Sequence, residues 1–313
     1  MKSLVTGASG FIAKHLIRRL LADGTQTVAW SRGSAPKELR HESLAWQTID
    51  LLDAGQVNDA MESAKPDHVF HLSAQCLPKV SWEDPTGTFD ANVIGTIHLL
   101  NALQRHAPKA RLILASSSAL YAPHPDHQPI REDHPLEGAS LYAISKMAQE
   151  MTARMWGRKY NMPVVTVRPF FVIGPEKRGD VCADLAQRVV YAERSEEPVI
   201  RVGNLAAVRD FVDITDAVQA FRVIAEKGEP DGVYNLARGS GWSVGDVLEY
   251  YRISAMNPLE IKVDPALLRP VDEPVKIGDP SKLRALGWEP AVPVEMALAK
   301  ILDYWRTQDQ ADG

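Results

Sequence analysis

Cysteine is scarce: Cys76 and Cys182 are the only two in 313 residues. They stand far apart and fit no metal-ligand spacing, so the expected state is a pair of buried, reduced thiols rather than a disulfide. Nine histidines are scattered along the chain. None stands in the HExxH pattern of a zinc enzyme, and no metal site is expected. No apolar run approaches the roughly 20 residues needed to span a bilayer, which argues against a membrane partner. The formal charge is −5, with no block of lysine or arginine. That removes the usual electrostatic footprint of a nucleic-acid binder, and any bound anion must be met by individual arginines. The chain opens directly into the β-prone run LVTG. A fold with no leader peptide and a cytoplasmic location are expected from it. There is no low-complexity tract and no internal repeat.

What the chain does have is apolar mass, 45% of its residues. That suffices for one large domain or two interlocked ones with a full core. Strand-like and helix-like segments alternate. β-prone runs are read at 3–6, 27–30, 44–49, 69–72, 111–115 and 163–167. Helical periodicity is read at 11–22, along a long segment at 86–106 stopped before Pro108, and at 140–160. In the last of these Leu141, Ile144, Ala148, Met151 and Met155 share a face. Such alternation predicts an α/β fold with a doubly wound parallel sheet and helices on both faces. After Pro169 the pattern loosens. Residues 212–214 and 233–236 are candidates to rejoin the sheet. The expected division is a nucleotide-binding domain over 1–174, rejoined by 206–238. Residues 175–205 and 239–313 then make a smaller, discontinuous α/β substrate lobe.

Between the first strand and the first helix lies TGASGFIAKHL. Gly7 permits a tight turn, and Gly10 lets a pyrophosphate approach the backbone. Ala13 is small enough for close helix–strand packing. The helix N-terminus adds free N–H groups and the positive end of a dipole. This context points to a dinucleotide. After the second strand the chain reads AWSRGS, with no carboxylate until Glu38. An NAD enzyme usually places an acid there for the ribose 2′-hydroxyl. Ser31 and Arg32 instead offer a hydroxyl and a guanidinium, which suit a 2′-phosphate. NADP(H) is therefore favoured, with NAD(H) as the alternative. Asp50, after the third strand, is a candidate for the adenine.

Tyr142 and Lys146, in LYAISK, stand four residues apart on a helix and share a face. A free phenol titrates near ~10, too high for a base at neutral pH. A nearby ammonium would lower that value and let tyrosine exchange a proton at a carbonyl or carbinol carbon. The helix follows the strand that ends in LASSSALY, residues 114–121. Both ends fall on the carboxyl edge of a parallel sheet, where ligands bind.

TGASGFIA, HLSAQ, SSSALY, YAISK and RPFFVIGP, in this order, resemble the extended short-chain dehydrogenase/reductases that act on nucleotide sugars. GNLAAVRDFVDITD, AQCLPKVSWEDP and RPVDEPVKIGDPSKLRALGWEP are similar to the branch containing GDP-mannose 4,6-dehydratase and GDP-4-keto-6-deoxy-mannose reductase. The likeness covers nearly the whole chain and implies a Rossmann-type domain. It implies cofactor contacts from Ser9, Phe11, Ile12, Leu51, Leu72, Ser73 and Ala74 besides those named above. It makes Ser117, four positions before Tyr121, the hydroxyl that assists Tyr142 at the sugar oxygen, and has Lys146 also hold the nicotinamide ribose. It implies substrate contacts from Lys79, Ser118, Phe171, Arg178, Arg209 and Arg269, the arginines gripping a diphosphate. A homodimer is implied through the helices at 86–106 and 140–160.

Dehydratases and decarboxylases of this family carry an acid among the two positions after the serine. Here those positions are Ser118 and Ala119. The expected reaction is therefore NADPH-dependent reduction of a 4-keto nucleotide sugar, of the GDP-4-keto-6-deoxyhexose type, with tyrosine as proton donor. An NAD-dependent 4-epimerase is the alternative. A 4,6-dehydratase ranks below it, and a non-enzymatic NADP-binding protein is the third reading. Phe171 stands where the family usually has asparagine, and Ala122 where glycine is usual, which implies an altered sugar pocket.

Overall fold

The computed structural model describes residues 1–124, 126–267 and 273–311. Seven strands form one sheet: β1 (Lys2–Thr6), β2 (Gln26–Ser31), β3 (Leu44–Thr48), β4 (His68–His71), β5 (Arg111–Ala115), β6 (Val164–Pro169) and Val233–Leu236. All their pairings are parallel, in the spatial order Val233–Leu236, β6, β5, β4, β1, β2, β3. The chain winds outward from β1 to β3, then returns to lay β4 against β1. The reversal of winding thus lies between β1 and β4, and their carboxyl ends open the crevice where ligands of such sheets bind.

The strands are apolar on both faces because helices cover both. Val5, Phe70, Ile113 and Val165 point to one face. There they meet Leu16, Ile17 and Leu20 of α1 (Phe11–Ala22) together with Phe221 and Ile224 of the helix Ile214–Lys227. Their sequence neighbours Leu4, Val69, Leu112 and Val164 point to the other. That face packs on Met61 of α2 (Ala54–Ala64), and on Leu99 and Leu103 of the helix Gly95–His106. Each such side chain, fully buried, contributes about 1.5–3 kcal/mol of transfer free energy. A third core gathers Ile200 and Val202 with the helices Val181–Ala192, Val244–Ile253 and Val294–Ala311.

Three expectations change. The strand Phe211–Asp213 does not rejoin the main sheet; it pairs in parallel with Phe171–Ile173 in a separate two-stranded sheet. The run at 86–106 is not one regular helix. It consists of Pro85–Phe89, a π-helical turn at Asp90–Ile94, and Gly95–His106. The turn carries Asn92, whose buried amide accepts from Gln75 N at 2.7 Å and donates to Ser145 Oγ at 2.9 Å. Both cysteines are free, but only Cys182 is buried; Cys76 is exposed.

The helix Leu141–Tyr160, called α3 below, is capped by Ser140, whose hydroxyl accepts from Ala143 N at 3.1 Å. It ends at Asn161 in the left-handed region. Its sheet side holds Tyr142, Ala143, Ser145, Lys146, Gln149, Glu150, Ala153 and Gly157. Ile144, Met151 and Met155, from the apolar stripe, are exposed.

Candidate active site

The turn between β1 and α1 is set by close backbone approach. Gly7 has φ +66°, and a Cβ there would lie 2.7 Å from the Cα of Ser73. The loops that leave β1 and β4 therefore touch, and only glycine permits it. Gly10 N donates to Gly7 O at 2.8 Å and closes the turn. No side chain caps α1, which leaves its first N–H groups pointing into the crevice. Ala13 is buried against the sheet. This cradle fits a pyrophosphate, and Phe11 and Ile12 supply its first helical amides.

Ser31 is buried and its hydroxyl donates to Ser9 Oγ at 3.0 Å. Arg32 beside it is exposed. Asp50 accepts from Leu52 N at 3.0 Å, and Leu51 O meets His98 Nδ1 at 2.8 Å. Leu72, Ser73 and Ala74 line the loop after β4, where Ser73 N donates to Thr6 Oγ1 at 3.3 Å. The cofactor candidates thus lie at the carboxyl ends of β1, β2, β3 and β4. A nicotinamide dinucleotide held there would supply the hydride; the polypeptide supplies the anion cradle and the proton-transfer groups.

The three serines after β5 have three different partners. Ser116 Oγ donates to Glu150 Oε2 at 2.6 Å. Ser117 stands close enough to the phenol of Tyr142 to lower its pKa, and its oxygen accepts from Ala119 N at 3.1 Å. Ser118 is buried at the start of a short 3-10 turn. Only Ser117 of the three therefore meets Tyr142. Glu150 is committed to Arg168, whose Nη2 lies 2.5 Å from Oε1, both side chains being nearly inaccessible. Arg168 also donates to the Tyr121 hydroxyl at 2.8 Å, which in turn donates to Asn235 Oδ1 at 2.6 Å. This network supports the floor of the site, and its two carboxylates are engaged, Glu150 by Arg168 and Ser116, and Glu132 by Asn235 N at 2.8 Å.

Tyr142 is 9% exposed. Burial pushes its phenol up to about 12, against the Ser117 hydroxyl, which lowers it. The sequence leads to the expectation that Lys146 pulls the phenol down. Instead the ammonium donates to Ala115 O at 2.6 Å and to Gln149 Oε1. Burial drives Lys146 itself down to about 8, while the negative charge of Cys76 or Glu150 would raise it. Cys76, read from the sequence only as a buried thiol, is thus near enough to act on both groups.

The substrate-side candidates divide. Arg209 lies over the Phe171 ring at 5.4 Å and donates to Glu273 O at 2.8 Å. Phe171 also meets Phe211 edge-on. Asp210, next to Arg209, accepts from the backbone of Arg238, Gly239 and Gly278 and pins their loops beside it. Arg178 is exposed and stacks on Trp305, 5.1 Å from the ring. Lys79 is a surface residue paired with Glu83 at 3.7 Å, and nothing draws it toward Tyr142. Arg269 lies outside the described residues. Gln149, His71, Thr96 and Asn92, buried polar groups behind Lys146, were missed. Their only signal was polarity within otherwise apolar segments.

A glycine cradle at the switch point of a parallel sheet, with a tyrosine, serine and lysine beside it, defines an NAD(P)-dependent oxidoreductase of the short-chain type. The family model described as GDP-mannose 4,6 dehydratase matches residues 4–301. The chain belongs to the extended short-chain dehydrogenase/reductase family of nucleotide-sugar epimerases and dehydratases, and is a nucleotide-sugar-modifying NAD(P) enzyme. It is 30% identical to GDP-6-deoxy-D-mannose reductase of Pseudomonas aeruginosa over 97% of each chain. It superposes with TM-score 0.87 on the UDP-glucose 4-epimerase of Thermus thermophilus in complex with NAD, at 29% identity, covering 98% of this chain and 99% of that one. RMD from Pseudomonas aeruginosa complexed with NADPH gives TM-score 0.86 at 28% identity, with the same coverage. Among the described residues no helix is long and apolar enough to cross a membrane.

Proposed function

We propose that this enzyme reduces a 4-keto nucleotide sugar of the GDP-4-keto-6-deoxyhexose type with NADPH. Tyr142 gives its proton to the carbonyl oxygen, Ser117 hydrogen-bonds that oxygen, and Lys146 stabilises the charge left on the phenol. The observation that carries this reading is what stands around the phenol among the described residues: Ser117 and Cys76 acting on it, Lys146 one turn along the same helix, and no available carboxylate. Ser118 and Ala119 offer no acid or base, and Glu150 is tied to Arg168 and Ser116. Elimination across a sugar ring needs a second proton-transfer group that this arrangement lacks. A buried phenol that holds its proton at neutral pH suits a donor. Arg32 without a neighbouring acid favours the 2′-phosphate of NADPH. Likeness to the Pseudomonas reductase supports a guanosine-linked substrate. Arg209 and Arg178 are proposed to meet the diphosphate, with Arg269 joining them on the ground of sequence alone.

A 4-epimerase with retained NAD is the second reading, favoured by equal likeness to the Thermus enzyme. Oxidation of NADPH and of NADH should be followed with a panel of 4-keto and ordinary nucleotide sugars, for wild type and Arg32→Glu. The expected result is turnover of the 4-keto compounds with NADPH, and at least a tenfold loss of NADPH preference in the variant. Interconversion of ordinary nucleotide hexoses by protein carrying bound NAD would replace this reading with the epimerase.

A further inference from the structure

We propose that Gln149 is the positioning residue of Lys146: its amide oxygen fixes the ammonium and holds it charged. The role rests on the reading of Tyr142 and Lys146 as the proton-transfer pair.

Gln149 is fully buried on the sheet side of α3, one turn from Lys146. Its Nε2 donates to Thr96 Oγ1 at 2.8 Å. The Thr96 hydroxyl gives its own proton to Asn92 O at 2.7 Å. Thr96 Oγ1 must therefore also accept from His71 Nε2, 2.8 Å away. His71 is then the Nε2–H tautomer, and its Nδ1 accepts the Thr6 hydroxyl proton at 2.7 Å. The hydroxyl protons of Thr6 and Thr96 and the Nε2–H of His71 are thus committed, while the second Nε2 hydrogen of Gln149 passes His71 Nε2 at 3.4 Å without bonding to it in this tautomer. Turning the Gln149 amide over would set its NH2 against the ammonium and leave Thr96 facing a carbonyl oxygen. The oxygen is thus directed at Lys146 by groups on β1, β4, the π turn and the helix after it.

The consequence for Lys146 is electrostatic. A buried ammonium loses its water, and two acceptors, Ala115 O and Gln149 Oε1, replace part of it. Two of its three N–H groups are so used, and the third remains for the cofactor or the phenol. The other groups that act on it or feel it are Glu150 from its own helix, Cys76 from the loop after β4, and His71 from β4, with Tyr142 one turn earlier on the same helix face. His71 stays neutral, because burial drives it down to about 3. Glu150 is neutralised by Arg168. Among the described residues, Gln149 is the one side chain whose oxygen is bonded directly to Nζ.

The test is a pH titration of the full chain labelled with [ε-13C]lysine, the Lys146 resonance being assigned by its loss in Lys146→Arg. In Gln149→Met the midpoint should fall by about one pH unit, and in Gln149→Glu it should rise by at least as much. With a 4-keto substrate, Gln149→Met should lose kcat while KM holds. Midpoints that stay at the wild-type value, or that move in the same direction in both variants, overturn the proposal. If Gln149→Met does not fold, a Gln149→Glu midpoint at or below wild type overturns it alone. The titration needs no substrate, so a wild-type chain inactive on every keto-sugar would count against the proposed reaction and not against this role.

Discussion

Tyr142 is the residue on which the proposed chemistry turns. Tyr142→Phe removes the transferable proton and leaves the ring, so kcat should fall roughly 10²–10⁴-fold while NADPH binding, measured by fluorescence titration, is kept. The pH dependence follows from its companion. Lys146 is charged below about 8 and neutral above it. Stabilisation of the forming phenolate is therefore present on the acid side and lost as pH rises through that value. Reduction rates should fall across pH 8, and a profile that stays flat far into the alkaline range would contradict the role of the ammonium. This pair was legible because four residues of helix bring two side chains to one face wherever the helix lies. The balance of forces on the phenol was not legible. It depends on Ala115 and Gln149 holding the ammonium, and on the depth of burial, which residue spacing does not contain. The serine run was half legible: the family resemblance pointed to Ser117, but only folding reveals that Ser116 is engaged by Glu150.

At the scale of the element, α3 is built in reverse of the usual expectation. Its sheet side is studded with polar groups that pair with β5, β6 and the Asp90–His106 segment, and its apolar stripe looks away. Periodicity identified the helix correctly, since any stripe of period 3.6 does so. It could not say which face turns inward, because Glu150 is buried only by virtue of Arg168 on β6. Removing one partner of a buried ion pair leaves the other uncompensated. Arg168→Met should therefore cost about 3–5 kcal/mol in urea unfolding, well beyond an exposed pair such as Lys79–Glu83. The π turn was likewise invisible: nothing in DANVI breaks a helix, and the distortion serves to aim Asn92 at Gln75 and Ser145.

For the whole molecule, the parallel sheet was readable because both-face burial makes strands apolar and short between helices. The fate of 211–213 was not, since its few apolar residues suit any sheet. Its partner, Phe171–Ile173, follows β6 after a single residue and draws it away. The outward stripe of α3, with Ile94 and Trp82 exposed on adjoining elements, supports a homodimer formed through these helices. Sedimentation should find the wild-type chain as a dimer and Met151→Glu with Met155→Glu as a monomer. A monomeric wild type would remove this expectation.

That stripe carries its own reporter. Met151 and Met155 are exposed thioethers in the single chain, whereas Met61 is fully enclosed. Peroxide converts an accessible thioether to a polar sulfoxide. Oxygen gain at the two surface methionines, scored by mass against the enclosed one as dilution proceeds, would count uncovered chains directly. The same reaction would roughen the surface it measures, making oxidant exposure a brake on assembly.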